Sequence, residues 1–129
     1  MKRILVCGDR NWRDKKRIEE LLLKLCKELQ ITSPNEIMII HGGARGADSL
    51  AGEVAQELGF RLRVYPAEWE RYGKVAGPLR NTEMLEDGKP DLVLAFHPDL
   101  SKSKGTAHMV KIAKRKGVEV RLIGEEGGK

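Results

Sequence analysis

The chain has 129 residues, of which 40% are hydrophobic and 33% charged, and it carries a formal net charge of +5. This length and composition fit one compact globular domain and argue against a disordered or membrane-spanning chain. The positive charge permits nucleic-acid binding but suits a small anionic ligand equally well, and the aromatic content of 5% is low for the stacking surfaces that single strands need.

Targeting signals and metal-binding motifs are not predicted. No apolar stretch reaches transmembrane length, and the four apolar residues after Arg3 are too few for a signal peptide, so we expect a cytosolic protein without a membrane partner. Cys7 and Cys26 lie in apolar patterns and are expected to be reduced and structural. No spacing of Cys or His resembles a zinc site, and we expect neither a metal nor a cofactor.

The first half of the chain alternates apolar strands with amphipathic helices. An apolar run predicts a buried strand over 3–7, and Asp14 is the candidate N-cap of a helix that reaches Leu29. A strand follows over 36–40, then a helix over 47–58 that Gly59 ends. The run 61–65 alternates polar and apolar residues, which predicts a strand near the sheet edge.

The second half continues the alternation after a long loop predicted over 67–77. Pro78 suits the first turn of a helix running to about residue 86. A strand over 91–96, a polar loop over 97–104, a helix over 106–116 and a strand over 118–123 complete the pattern. We therefore predict an α/β fold, a Rossmann-like three-layer sandwich with a mainly parallel five-stranded sheet, as a single domain over 1–123 with a flexible tail over 124–129.

The glycine-rich segment from His41 to Asp48 joins the second strand directly to the second helix. Glycines allow a ligand close to the backbone, and free N–H groups at a helix start favour an anion. This predicts a phosphate-binding turn formed by Gly42, Gly43, Ala44, Arg45, Gly46 and Asp48. A purely structural tight turn, with Asp48 favouring the helix dipole, remains the alternative.

Two further polar loops are expected at the same edge of the sheet, where parallel α/β folds bind ligands. Neither the dinucleotide fingerprint G-x-G-x-x-G nor a P-loop occurs, so dehydrogenase and P-loop functions lose their main support. The candidate ligand-binding residues of these loops are Gly8, Asp9, Arg10 and Trp12 after the first strand, and Lys104, Gly105 and Thr106 at the last helix.

Several of these residues have a second interpretation. Asp9 either accepts from a ribose hydroxyl or caps its loop. Trp12 either stacks on a base or covers the end of the core. Arg80 and Asn81 follow Gly-Pro at a helix start and are the candidate clamp for a phosphate or ribose.

Five motifs in order carry a family resemblance: Gly-Asp-Arg-x-Trp-x-Asp from Gly8, the turn from His41, Pro-Ala-Glu-Trp from Pro66, Ala-Gly-Pro-Leu-Arg-Asn from Ala76, and Ser-Lys-Gly-Thr from Ser103. This set resembles the YspA/YpsA-related proteins of the SLOG superfamily, which also contains Smf/DprA and the Lonely Guy proteins. The resemblance implies a Rossmann-like domain that binds a nucleotide or nucleotide-derived ligand for sensing, sequestration or processing, often as a homo-oligomer.

Lonely Guy enzymes use an arginine and a glutamate to hydrolyse nucleoside monophosphates, and the chain matches them only in part. Arg80 and Met84 fit the arginine motif, whereas Met109 stands where the resemblance places the catalytic glutamate. A thioether cannot replace a carboxylate. Whether the chain is an enzyme stays open: one alternative is an N-glycosidic hydrolase with a displaced carboxylate, and another is a single-stranded DNA-binding module. The catalytic candidates are Arg80, Asp9, Asp48 and Glu68.

Overall fold

A computed structural model describes residues 1–124 of the chain and confirms the Rossmann-like α/β prediction. Within this range the strands are β1 (Lys2–Gly8), β2 (Ile37–His41), β3 (Arg61–Val64), β4 (Leu92–Phe96) and β5 (Glu119–Ile123). The helices are α1 (Lys15–Glu28), α2 (Ala47–Leu58), α3 (Trp69–Tyr72), α4 (Ala76–Glu86) and α5 (Lys104–Arg115). All neighbouring strands pair in parallel, in the order β3-β2-β1-β4-β5.

The sheet separates two hydrophobic cores, and β1 contributes to both because successive side chains of a strand point to opposite faces. Ile4 and Val6 pack with residues of α1 and α2, whereas Leu5 and Cys7 pack with residues of α4 and α5. Burial on both faces explains why residues 4–7 of β1 are apolar without interruption.

Two predicted helix boundaries are confirmed by their capping geometry. The Asp14 carboxylate accepts a hydrogen bond from the backbone N–H of Arg17 at 3.0 Å, which satisfies a donor that the first turn of α1 leaves free. Gly59 ends α2 with a φ of 80°, in the left-handed region that glycine occupies without strain.

The predicted loop over 67–77 is wrong in part, because this segment contains α3, a one-turn 3₁₀ helix (Gly73–Val75) and the start of α4. Pro78 is the third residue of α4, where its missing N–H would have no partner inside the helix anyway. Helix α5 also begins two residues before its predicted start, because the Ser103 hydroxyl accepts from the N–H of Thr106 and caps it.

The order of the strands reverses beside β1. From β1 the sheet extends through β2 to β3 on one side and through β4 to β5 on the other. The carboxyl ends of β1 and β4 therefore diverge into loops that leave a crevice between them. The longest described helix, α1, has 14 residues, and no helix among the described residues meets the length and hydropathy of a membrane span. Of the predicted tail, 125–129 lies outside the described residues.

Candidate functional site

A cleft of about 400 Å³ opens at the carboxyl ends of β1 and β4, where the strand order reverses. Ten of the predicted site residues line it: Gly8, Asp9, Arg10, Ala44, Asp48, Arg80, Asn81, Lys104, Gly105 and Thr106. The three sequence segments that were expected to converge on this edge of the sheet therefore do so. Among the described residues, no three His, Cys, Asp or Glu side chains are placed to hold a metal ion.

The loop after β1 is fixed by its backbone against β4 and α2. The N–H of Asp9 donates to the carbonyl of Phe96 at 2.8 Å, and the carbonyl of Asp9 accepts from the N–H of Ala47 at 3.1 Å. The Asp9 carboxylate accepts from the N–H of Asn11 at 2.9 Å, so it caps its own loop. Gly46 makes this packing possible, because a β-carbon there would overlap the backbone of Asp9 and Arg10.

The glycine-rich turn binds a carboxylate of the chain itself. The backbone N–H groups of Gly42 and Ala44 donate to Asp48 at 2.9 and 3.3 Å, and the N–H of Gly43 donates to Nδ1 of His41 at 2.9 Å. Three amides of the predicted phosphate-binding turn thus have partners within the chain. The turn has the chemistry of an anion site, and Asp48 is the anion that the amides of Gly42 and Ala44 bind.

Asp48 is an unusual carboxyl group because it is 5% exposed on the cleft wall. Burial raises its pKa to about 6, against the opposing effects of the two backbone hydrogen bonds and of the Arg80 charge. The neighbouring thiol of Cys7 lies at the floor of the cleft, and burial raises its pKa far above the usual range for a thiol. Cys7 therefore remains protonated at neutral pH and is a poor nucleophile.

Arg80 is half-buried and held by two hydrogen bonds. Its Nη1 donates to the carbonyl of Gly42 at 2.7 Å, and its Nε donates to the side-chain oxygen of Asn81 at 3.0 Å. Gly42 is required for this placement, because a β-carbon there would overlap the guanidinium. Burial lowers the pKa of Arg80, the nearby Asp48 raises it, and the charge of Arg10 lowers it.

Asn81 positions Arg80 and connects α4 to α5. Its amide nitrogen donates to the carbonyl of Gly105 at 3.2 Å and lies 3.1 Å from Nδ1 of His108. The Asn81 side-chain oxygen accepts from Arg80, and its amide N–H groups are used by Gly105 and His108. All polar atoms of this side chain, which is 5% exposed, therefore have partners. Asn81 lines the cleft as predicted, but its contacts assign it a positioning role.

Five of the predicted ligand-binding residues lie outside this cleft. Gly42, Gly43 and Arg45 line a groove on the other side of Arg80, while Gly46 packs beneath the first loop. Of the two interpretations of Trp12, its burial favours a cover for the end of the core over contact with a base: the side chain is 3% exposed and meets the ring of Phe96 edge to face at 5.4 Å between centroids. Its Nε1 donates to the carbonyl of Asp14.

Two residues bear on the hydrolase alternative. The catalytic candidate Glu68 is exposed and lines a neighbouring groove with Tyr72 and Glu83, and it is not among the residues that line the cleft with Asp9 and Asp48. Met109 is 1% exposed and belongs to the core on the side of α4 and α5, so this position faces other apolar groups.

Six residues that the sequence did not single out as ligand-binding also line the cleft: Cys7, Asn11, Met84, His97, Lys102 and Ser103. The positions of Cys7 and His97 in the sequence could have indicated their place in the cleft. Cys7 lies near the carboxyl end of β1 and His97 directly follows β4, and the strand order reverses between these two strands. A signal for Ser103 was also present in the sequence, since a serine three residues before Thr106 at a helix start is a typical N-cap.

Comparison with known proteins relates the chain to a protein family and to a phage protein. The model of the YspA, cpYpsA-related SLOG family matches residues 2–72, a range that includes the loop after β1 and the glycine-rich turn but ends before Arg80. The Gene 61 protein of Mycobacterium phage D29 is 38% identical over 131 residues, which cover 98% of this chain and 99% of that protein. The second match therefore extends over the whole cleft.

Proposed function

Because the chain belongs to the YspA, cpYpsA-related SLOG family, we propose that it binds a nucleotide or nucleotide-derived ligand in the cleft between the carboxyl ends of β1 and β4. The ligand's phosphate lies against Arg10, Arg80 and the first turn of α5. Sensing, sequestration and processing of such a ligand would all begin with this binding step.

The observation that carries the proposal is the pair of arginines on one wall of the cleft. Arg10 and Arg80 both line the cleft, and the pKa of Arg80 is lowered mainly by burial and in addition by the charge of Arg10. Two guanidinium groups in one cleft repel each other. A phosphate between them relieves this repulsion and accepts hydrogen bonds from both. Arg80 uses two of its five N–H donors on Gly42 and Asn81, which leaves three for a ligand.

The overall charge of the cleft supports the same ligand class. Its lining contains four cationic side chains, Arg10, Arg80, Lys102 and Lys104, against two carboxyl groups, Asp9 and Asp48. The raised pKa of Asp48 further reduces the average negative charge near pH 6. A cleft with this balance attracts anions.

The start of α5 adds backbone donors to the charged side chains. Ser103 satisfies the N–H of Thr106, whereas helix geometry provides no carbonyl partner for the N–H groups of Lys104 and Gly105. These two residues line the cleft, so a phosphate there would meet backbone N–H groups together with the ammonium group of Lys104.

The test is calorimetric titration of the purified chain with AMP, ADP and ADP-ribose. We expect at least one of them to bind, and Arg80→Ala to weaken its binding by about 10- to 100-fold, the value of one or two hydrogen bonds to a charged group. Arg115→Ala is the matched control, because Arg115 is an exposed cation at the other end of α5. No binding by the wild-type chain, or equal affinities of Arg80→Ala and wild type, contradicts the proposal.

A hydrolase remains the second candidate because of Asp48. A carboxyl group with a pKa of about 6 on the cleft wall can hold a proton near neutral pH, as a general acid must. If the chain cleaves AMP with water to adenine and ribose 5-phosphate, chromatography will detect the free base, and Asp48→Asn will abolish its release. Binding of AMP without release of adenine rejects this candidate for AMP and leaves the binding function in place.

A further inference from the structure

A second groove of about 340 Å³ adjoins the cleft and shares a border with it. The border consists of Arg10, Ala44 and Arg80, which line both cavities. Beyond it the groove is lined by Gly42, Gly43, Arg45, Pro66, Ala67 and Trp69. A ligand whose phosphate lies between the two arginines can therefore extend into either cavity.

Trp69 gives this groove an exposed indole ring, and no indole is among the described residues that line the cleft. Its side chain is 51% exposed, in contrast to the 3% of Trp12, which packs in the core. The edge of the Trp69 ring lies near Gly77 of α4, where a β-carbon would meet the ring at an ordinary contact distance of 3.4 Å. An indole that is supported at its edge and open to solvent is a stacking surface for another aromatic ring.

The other residues that line the groove are suited to a flat, polar ring. Gly42 and Gly43 contribute backbone to the lining, and the Arg80 guanidinium fills the space that a β-carbon of Gly42 would take. The guanidinium groups of Arg45 and Arg80 can stack on a ring as well as hydrogen-bond to its edge atoms. These features favour a nucleobase over an aliphatic group, which would gain neither stacking nor hydrogen bonds.

We propose that the groove beside Trp69 binds the base of a nucleoside phosphate, with Trp69 stacked on the base and the phosphate held at the border by Arg10 and Arg80. This inference rests on the proposed function, to which it adds the orientation of the ligand and the requirement for an aromatic base. Stacking tolerates different bases because every base has a π-face, so purine and pyrimidine nucleotides both bind.

The experiment compares AMP with ribose 5-phosphate, which has the phosphate and the sugar but no base. In calorimetric titrations of the wild-type chain, AMP should bind about 5- to 100-fold more tightly, the value of one base stack. Trp69→Ala should weaken AMP binding by that factor and leave the affinity for ribose 5-phosphate unchanged. Trp69→Phe should restore part of the difference, because phenylalanine also stacks.

Tyr72→Ala is the matched control for these variants. Tyr72 is another exposed aromatic residue of α3, but it does not line the groove of Trp69; it lines the neighbouring groove that contains Glu68. Its removal should change neither affinity. Tryptophan fluorescence gives a second measurement: AMP should quench the exposed Trp69, and the quenching should be absent in Trp69→Phe, where only the buried Trp12 remains.

The outcomes separate this inference from the proposed function. Binding of ribose 5-phosphate with the same affinity as AMP, or equal losses of both in Trp69→Ala, overturns the base-binding role and leaves phosphate binding intact. If Trp69→Ala instead changes the mass of the protein in sedimentation without changing AMP affinity, Trp69 belongs to a contact between copies of the chain. Failure of the wild-type chain to bind either probe contradicts both proposals.

Discussion

Arg80 donates through Nη1 to the carbonyl oxygen of Gly42 at 2.7 Å, so the glycine-rich turn holds the central cation of the cleft. Gly42 lies outside the left-handed region, and its backbone would accept alanine, but the added β-carbon would overlap the guanidinium. Gly42→Ala should therefore displace Arg80 and weaken AMP binding about as much as Arg80→Ala. Titration calorimetry measures this change, and wild-type affinity in Gly42→Ala would show that the position of Arg80 does not matter for binding.

Asp48 should make the stability of the chain depend on pH. Its pKa is about 6 in the folded chain and near its ordinary value of 3.8 in the unfolded chain, so the folded chain binds more protons between these values. The free energy of unfolding should therefore fall as the pH rises from about 4 to 6, by up to about 3 kcal/mol, because the carboxylate is costly to bury once charged.

Asp48→Asn removes this titration while retaining an oxygen that can accept from the turn. Urea unfolding of both proteins between pH 4 and 7 should show the wild type losing stability relative to the variant as the pH rises. Parallel curves would mean that Asp48 titrates alike in the folded and unfolded chains.

Gly105→Ala should have opposite effects on stability and on binding. A β-carbon on Gly105 meets no atom within 4 Å, and alanine favours the first turn of α5 by about 0.5 kcal/mol. The same methyl group projects beside the backbone donors at the cleft and should weaken AMP binding. Thermal unfolding and calorimetry test the pair of effects, and a more stable variant with unchanged affinity would place the phosphate away from α5.

Met109→Glu should destabilise the chain and create no hydrolase. Met109 is 1% exposed among apolar groups, so a carboxylate there would be buried without a partner at a cost of several kcal/mol. Met109→Leu keeps the volume and should cost less than about 1.5 kcal/mol. Urea unfolding compares the two variants, and a stable Met109→Glu chain that releases adenine from AMP would show that this position reaches the cleft.

The strands and helix ends that are determined by a short local segment were the features best predicted from the sequence. The uninterrupted apolar run of β1, the Asp14 cap and the Gly59 stop each follow from one short segment, and all three are confirmed. Helix α3 was missed because four residues carry too little periodicity to be recognised. Its formation depends on tertiary contacts, such as the packing of Trp69 against Gly77.

The candidate site was predictable in composition but not in its internal bonding. Ten predicted residues line the cleft because the carboxyl ends of parallel strands share one edge of the sheet. The sequence could not assign the amides of Gly42 and Ala44, since an internal carboxylate and a ligand phosphate satisfy them by the same chemistry. It also left the role of Trp12 open between contact with a base and cover of the core, because the burial of Trp12 depends on the distant Phe96.

The hydrogen bonds of Asp48 to the turn have a consequence for the thermodynamics of binding. They fix the turn that presents the Gly42 carbonyl to Arg80, so the conformation of this arginine is set before any ligand arrives. A free arginine loses about 1.5–2 kcal/mol of side-chain entropy when it is immobilised. In this chain much of that loss accompanies folding, so Arg80 is preorganised for the anion that we propose as ligand.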